Sequence, residues 1–143
     1  MDAQTTPQIP STNVAFVPAS FELLPMLTVE ENVVFPLRLA GSTADPTWIA
    51  AVLRAVDMEG RGDTRPGDPA RGEQLRVAVA RALATRPGTL VVDDLAGTVG
   101  SVTRHGAIRM LRRIADELGL TVVLETADAA DAALAGHVGD AAA

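Results

Sequence analysis

The sequence predicts an α/β protein in which a small parallel sheet is covered by helices. Three short apolar segments, at residues 14–17, 89–92 and 121–124, alternate with helical segments. Strands of a parallel sheet are buried on both faces, so they appear in a sequence as short continuous apolar runs. About three such strands are available, and no helix is predicted before the first, so we expect an incomplete sheet.

The region between the first two strands is predicted to be helical. Thr28 followed by Glu31 matches a capping box, which indicates a helix that ends before Pro36. Two further helices are predicted over residues 48–58 and 73–85, with a loop rich in Gly and Pro between them. We call this inserted helical region, predicted at about residues 28–86, the helical subdomain.

The second half of the chain continues the alternation of helices and strands. A helix from about Val102 to Leu118 is predicted to end at Gly119, which suits a left-handed terminal residue. A short Ala-rich helix is predicted over residues 128–135. We therefore expect three parts: a flexible arm (residues 1–13), one partial domain (residues 14–135) and a tail (residues 136–143). The helical subdomain, at about residues 28–86, lies within the partial domain.

Composition excludes several classes of chemistry. The chain has 143 residues and no Cys, so disulfides and thiolate sites are excluded. All 12 basic residues are Arg, so Schiff-base catalysis and phosphate loops that need Lys are excluded. The net charge of −6 argues against a nucleic-acid partner. No long apolar run and no signal pattern occur, which predicts a cytoplasmic protein without direct membrane insertion.

Four segments carry a resemblance to one family. Residues 16–37, the run Arg71-Gly72-Glu73-Gln74-Leu75-Arg76 that opens segment 71–83, residues 90–94 and residues 121–128 occur in that order. They resemble the Q-loop region, the signature helix, the Walker B strand and the switch strand of ABC-type ATPases, in particular the lipoprotein-release and macrolide-export branch. The resemblance implies an incomplete fold of the P-loop-NTPase kind, without the phosphate-loop strand and helix.

The resemblance also implies functional residues that this chain lacks. The family's phosphate loop, which would lie before Val14, needs a Lys, and none occurs. Ala19 stands in place of the Q-loop glutamine, and Ala127 in place of the switch histidine. Ala70 stands in place of the signature's serine, and Arg71 in place of its first glycine. These differences predict that the chain does not hydrolyse ATP by itself.

The remaining candidate site residues follow from the same resemblance. Asp94 stands where the catalytic glutamate is expected, and Asp93 is a candidate Mg²⁺ ligand. The degenerate signature Arg71, Gly72, Glu73 and Gln74 is a candidate nucleotide-binding segment. The simpler alternatives are that the two aspartates only end a strand and that Gly72-Glu73-Gln74 only begins a helix. No cofactor is assigned, and weak binding of Mg-ATP remains open.

Three hypotheses about function follow. The leading one is a catalytically degenerate ATP-binding-domain-like module that binds a partner, either an ABC permease or a complete ABC ATPase subunit. The segment containing Leu23, Leu24, Met26 and Leu27, close to Trp48, is then the surface that would meet the permease, or merely local core. The second hypothesis is an accessory subunit of an asymmetric ATPase dimer, and the third is a decayed, truncated gene product. A homodimer, or association with a membrane through a partner, is compatible with the first two.

Overall fold

A computed structural model of the chain describes residues 13–65, 71–93, 101–125 and 139–140. The strands are β1 (Val14–Val17), β2 (Thr89–Val92), β3 (Thr121–Leu124) and β4 (Gly139–Asp140). The helices are α1 (Val29–Leu39), α2 (Pro46–Ala55), α3 (Arg71–Leu83) and α4 (Ser101–Leu118). The three predicted strands are confirmed at their predicted bounds.

The strands form one parallel sheet in the order β1-β2-β3-β4. Val17, Val92 and Leu124 are aligned across the first three strands. The α/β class is therefore confirmed, and β1, whose partner the sequence did not reveal, pairs with β2. Within the described residues the sheet has a fourth member that was not predicted, because β4 lies in the segment assigned to the tail and pairs with β3.

The core lies on one face of this sheet. α3 contacts β1, α4 contacts β3, and the two helices contact each other. The largest fully buried side chains come from these helices, from the strands and from the helical subdomain: Leu75, Leu83, Leu90, Ile108, Leu111, Ile114, Leu124, Val17, Val29, Val33 and Val52. Aliphatic burial of this kind is the main stabilising contribution in a chain with so few aromatic residues.

The first three helices differ from their predicted bounds. α3 spans Arg71–Leu83 where residues 73–85 were predicted, and α2 ends at Ala55 where residue 58 was predicted. α1 does not end before Pro36 but continues to Leu39, with Pro36 eighth of its 11 residues. A proline this close to a helix C-terminus removes one backbone hydrogen bond, and buried Val33 and Val34 hold the helix in the core. α2 begins two residues earlier than predicted because Asp45 is its N-cap and Pro46 occupies its first turn.

The end of α4 agrees with the prediction. Gly119 follows Leu118 with a φ of +69° and so adopts the left-handed conformation. The helix predicted over residues 128–135 lies outside the described residues. In the part of the chain that the structure describes, no helix has the length and apolar character needed to cross a lipid bilayer.

Candidate functional site

The carboxyl ends of the strands bring one predicted site residue to the edge of the sheet. Asp93 follows β2, and its backbone N–H donates to the carbonyl oxygen of Val17 at 3.0 Å. Glu125 follows β3, and its N–H donates to the carbonyl of Val92 at 3.0 Å. Ligands of parallel α/β sheets bind at this edge. Asp93 and Glu125 therefore follow neighbouring strands at the edge where a ligand would bind, which is the position expected for a Walker B carboxylate.

This edge does not by itself make a metal site. Asp94 lies outside the described residues, so its predicted catalytic role has no geometry to support it. Among residues 13–65, 71–93 and 101–125 there is no group of three His, Cys, Asp or Glu side chains that could hold a metal ion. The role of Asp93 as a Mg²⁺ ligand thus stays a prediction.

The segment predicted to be a degenerate signature opens helix α3. Arg71 and Gly72 begin the helix, and Glu73 and Gln74 follow in its first turn, partly buried. The carboxylate of Glu73 accepts hydrogen bonds from both terminal nitrogens of Arg61, at 3.3 and 3.2 Å. Glu73 therefore has a structural partner in the loop after α2, which favours the interpretation of this segment as a helix start. The binding role of the four residues remains a prediction.

The segment after β1 contains two consecutive residues in the left-handed conformation, Phe21 (φ 63°) and Glu22 (φ 57°). The guanidinium of Arg81, from α3, donates hydrogen bonds to the carbonyl oxygens of both residues. Burial lowers the pKa of Arg81, and the nearby Glu22 carboxylate partly opposes this shift. Helix α3 thus fixes the segment that follows Ala19.

A buried asparagine shapes the next loop. Asn32 of α1 is fully buried, and its side-chain oxygen accepts the N–H of Leu24 at 2.8 Å. Its Nδ2 donates to the carbonyl oxygens of Leu24 and Thr28, both at 3.0 Å. Because these bonds fix both ends of the turn, Met26 is displayed at its tip with 66% of its surface exposed.

The N-terminus of α1 is also anchored from the opposite side. The N–H groups of Val29 and Glu30 donate to the carbonyls of Thr64 and Gly62, at 2.6 and 2.8 Å. The predicted capping box is confirmed, since the Thr28 hydroxyl accepts the N–H of Glu31 at 3.1 Å and the Glu31 carboxylate accepts the N–H of Thr28. The hydrogen bonds from Thr28 lower the pKa of Glu31.

Three concavities that share lining residues lie beside α1, with volumes of about 250, 340 and 280 Å³. Arg38 lines all three, and the one with the largest volume is lined by residues of α1 and α2. We call this surface the α1 groove; its main apolar and charged lining residues are Leu27, Glu30, Glu31, Val34, Phe35, Arg38, Ile49, Ala50 and Leu53.

Trp48 of α2 packs against the end of helix α3. Its indole N–H donates to the carbonyl of Leu83 at 3.1 Å, and the Arg86 guanidinium stacks 4.5 Å from its ring centre. It lines a small cavity with Leu37, whereas Leu27 precedes the first turn of α1. Trp48 thus joins α2 to the end of α3, and its predicted proximity to the segment of Leu24 and Met26 stays a prediction.

A comparison with protein families decides the assignment of this architecture. The family described as ABC transporter matches residues 2–96, which is more than half of the chain. The chain belongs to this ABC transporter family. Its sequence relatives agree, including the lipoprotein-releasing system ATP-binding protein LolD of Myxococcus xanthus, 37% identical over 79% of the chain and 51% of LolD.

Other relatives belong to the same group of ATP-binding subunits. The methionine import ATP-binding protein MetN of Xylella fastidiosa is 40% identical over 74% of the chain. Because that match covers 32% of MetN, the chain spans about a third of its length. The dimeric ATP-binding cassette MJ0796, in a post-hydrolysis state bound to ADP and Pi, superposes with a TM-score of 0.68 at 29% identity. This match covers 94% of the chain and 60% of that cassette.

Sequence reasoning missed the side chains that shape these surfaces. Asn32 had a visible signal, because it lies among Val29, Val33 and Val34 on the buried face of an amphipathic helix. A buried polar side chain in that position requires hydrogen-bond partners. Arg81 had no such signal, because its acceptors are backbone carbonyls 59 and 60 residues away.

Proposed function

We propose that this member of the ABC transporter family acts by binding a partner and does not hydrolyse ATP by itself. The observation that carries the proposal is a contrast within one chain. The helical subdomain keeps a capping box, a buried organising asparagine and a groove, whereas the chain has no Lys for a phosphate loop. Ala19, Ala70 and Ala127 occupy positions where the family resemblance implies polar catalytic groups.

The α1 groove is the proposed binding surface. Its floor is apolar, with Val34, Ile49 and Leu53, and its rim carries charges of both signs from Glu30 and Arg38. A groove of this kind accepts an amphipathic helix, whose apolar face enters the floor and whose polar residues meet the rim. The proposed partner is a short helix in a cytoplasmic loop of an ABC permease, which would bring the chain to a membrane. One relative, the macrolide export ATP-binding/permease protein MacB of Syntrophobacter fumaroxidans, combines an ATP-binding part and a permease in that protein.

The test is binding of the purified chain to the ABC permeases of its own genome, held in detergent micelles. We expect at least one permease to bind, and Arg38→Glu to weaken that binding at least tenfold. Arg54→Glu is the matched control, because Arg54 is an exposed arginine on α2 that does not line the groove. Absence of binding to every permease, or equal loss with both variants, would contradict the proposal.

The second candidate is an accessory subunit that completes the site of a competent ATPase. It is favoured by α3, which begins at Arg71 and presents a helix N-terminus where the signature would lie, and by the dimeric form of the structural neighbour. Adding the chain to a complete ABC ATPase subunit would then raise turnover, and Gly72→Trp or Gln74→Ala would remove the effect. Unchanged turnover with the partner ATPases would exclude this candidate.

The third candidate, a decayed gene product, predicts a poorly stable chain. One sheet face supports it, because Val14 and Phe16 are 59% and 52% exposed. Apolar surface of this kind promotes self-association. A cooperative unfolding transition and a monomeric mass by light scattering would argue against decay, whereas aggregation on purification would support it.

A further inference from the structure

One face of the sheet is not covered by the described helices. Phe16, Val91 and Val123 are aligned in register across β1, β2 and β3, and Val14 is aligned with Thr89 in the next row. Phe16 and Val14 are more than half exposed, and Val91 and Val123 are partly buried. We call this surface the bare face. The opposite face carries the buried Val17, Val92 and Leu124.

The order of the strands explains why this face is bare. β1, β2, β3 and β4 follow one another across the sheet in one direction. Connections between parallel strands are right-handed, so connections that advance in one direction cross the same face. α3 and α4 already define that face by their contacts with β1 and β3. The connections between these strands are therefore expected to leave the bare face uncovered.

The bare face is too small to hold a second copy of the chain. Three strands about 4.8 Å apart and four residues long present about 200 Å². Two such faces together would bury about 400 Å², against the 1,200–2,000 Å² typical of a specific complex. A segment of the same chain needs far less area, because its attachment gives it an effective concentration of about millimolar.

We propose that residues 1–12 pack on the bare face, with Ile9 as their anchor. Asn13 fixes the point of departure, because its carbonyl accepts the N–H of Gly88 at 3.0 Å and its Nδ2 donates to Thr85 at 2.7 Å. Four extended residues span about 13 Å, which lets Ile9 reach Phe16 and Val91 across one strand spacing.

The composition of the segment suits this role. Residues 1–12 contain one charged side chain, Asp2, and Ile9 lies between Pro7 and Pro10. Proline restricts its own backbone and keeps the preceding residue extended, so less conformational freedom is lost when Ile9 becomes ordered. The proposal is independent of the α1 groove, which lies on the helical subdomain.

The test exploits the absence of cysteine from the chain. In the full chain carrying Ile9→Cys and Val91→Cys, mild oxidation is expected to form an intrachain disulfide about tenfold faster or more than in the control. The control pairs Ile9→Cys with Arg109→Cys, an exposed position on α4. Equal rates in the two variants would overturn the proposal. Crosslinks only between chains, with a dimeric mass, would overturn it in favour of a second copy.

A single substitution keeps the proposal testable if the paired variant does not fold. Ile9→Asp is expected to increase binding of the dye ANS at least twofold, because the bare face becomes accessible. Gln4→Asp, which adds the same charge elsewhere in the segment, is expected to leave ANS binding unchanged. Equal ANS binding by both variants and the unmodified chain would overturn the assignment of Ile9 as the anchor.

Discussion

The side chain of Asn32 exchanges hydrogen bonds in both directions with the backbone of Leu24. The N–H of Leu24 reaches Oδ1 at 2.8 Å, and Nδ2 reaches the Leu24 carbonyl at 3.0 Å. The fully buried side chain of Asn32 thus bonds both backbone polar groups of Leu24, a residue eight positions away. This pairing holds the turn that displays Met26 beside the first residues of the α1 groove.

Replacing Asn32 is expected to be strongly destabilising. Asn32→Ala leaves the part-buried Leu24 N–H without its acceptor and removes the side-chain donor to the carbonyls of Leu24 and Thr28. We therefore expect a loss of about 1–3 kcal/mol in the free energy of unfolding. Urea denaturation measures it. Asn13→Ala is the control, since Asn13 donates to Thr85 at an exposed position, and its expected cost is below about 1 kcal/mol. Equal costs would show that Asn32 does not organise the loop.

Arg81 is expected to control the conformation after β1. Arg81→Met keeps an unbranched apolar stem but removes the donors to Phe21 and Glu22, so we expect a loss of about 1–3 kcal/mol. Hydrogen exchange is expected to accelerate in the backbone of residues 19–24, because two left-handed residues lose their external support. Unchanged exchange in this segment would contradict a positioning role for Arg81.

Two arginines of α4, Arg113 and Arg109, provide a matched test of side-chain contacts. Arg113 donates to the carbonyl of Ala55 at 2.6 Å and approaches Asp57 at 3.4 Å, so it caps the end of α2. Arg109 is exposed on the same helix. Arg113→Ala is expected to cost about 1 kcal/mol and Arg109→Ala less than about 0.5 kcal/mol, by thermal unfolding. Equal effects of the two variants would show that the contacts of Arg113 with Ala55 and Asp57 do not contribute to stability.

The capping box predicts a dependence of stability on pH. The pKa of Glu31 is lowered in the folded chain by its hydrogen bonds to Thr28, so its ionised form is favoured by folding. Its stabilising contribution is present above its ordinary pKa, near 4.3, and is lost as the pH falls through the lowered folded value. The difference in unfolding free energy between the unmodified chain and Glu31→Gln is expected to shrink as the pH decreases below about 4. A constant difference from pH 7 to pH 2 would contradict this role.

Exposed apolar residues at the two ends of α1 test the location of the partner surface. Met26 and Leu39 are 66% and 73% exposed, and Met26 lies at the groove end near Leu27. Met26→Asp is expected to weaken permease binding about tenfold, whereas Leu39→Asp leaves it unchanged. Both variants are expected to unfold within about 0.5 kcal/mol of the unmodified chain. A stronger effect of Leu39→Asp would move the partner surface away from the loop of Met26.

The sequence predicted the features that depend on local chemistry. The three strands, the capping box of Thr28 and Glu31, and the end of α4 at Gly119 follow from short apolar runs, caps and a residue tolerant of positive φ. The structure departs from the prediction where contacts between residues far apart in the sequence determine the conformation. Pro36 remains inside α1 because Val33 and Val34 of the same helix are buried. The residues of β4 form a strand because they pair with the edge of β3.

The candidate site shows the same division. The position of Asp93 at the sheet edge could be predicted from the strand before it. The α1 groove could not, because it depends on the packing of α1 against α2 and on the loop at Gly62. The contacts of Trp48 could not be predicted for the same reason, since its partners Leu83 and Arg86 are more than 30 residues away.

The central claim is that this member of the ABC transporter family has lost independent hydrolysis and kept a binding surface. The most direct measurement is phosphate release from Mg-ATP by the purified chain, compared with Asp94→Asn under the same conditions. The account predicts rates at background for both proteins, in preparations whose cooperative unfolding shows that they are folded. Turnover above background that Asp94→Asn abolishes would contradict it.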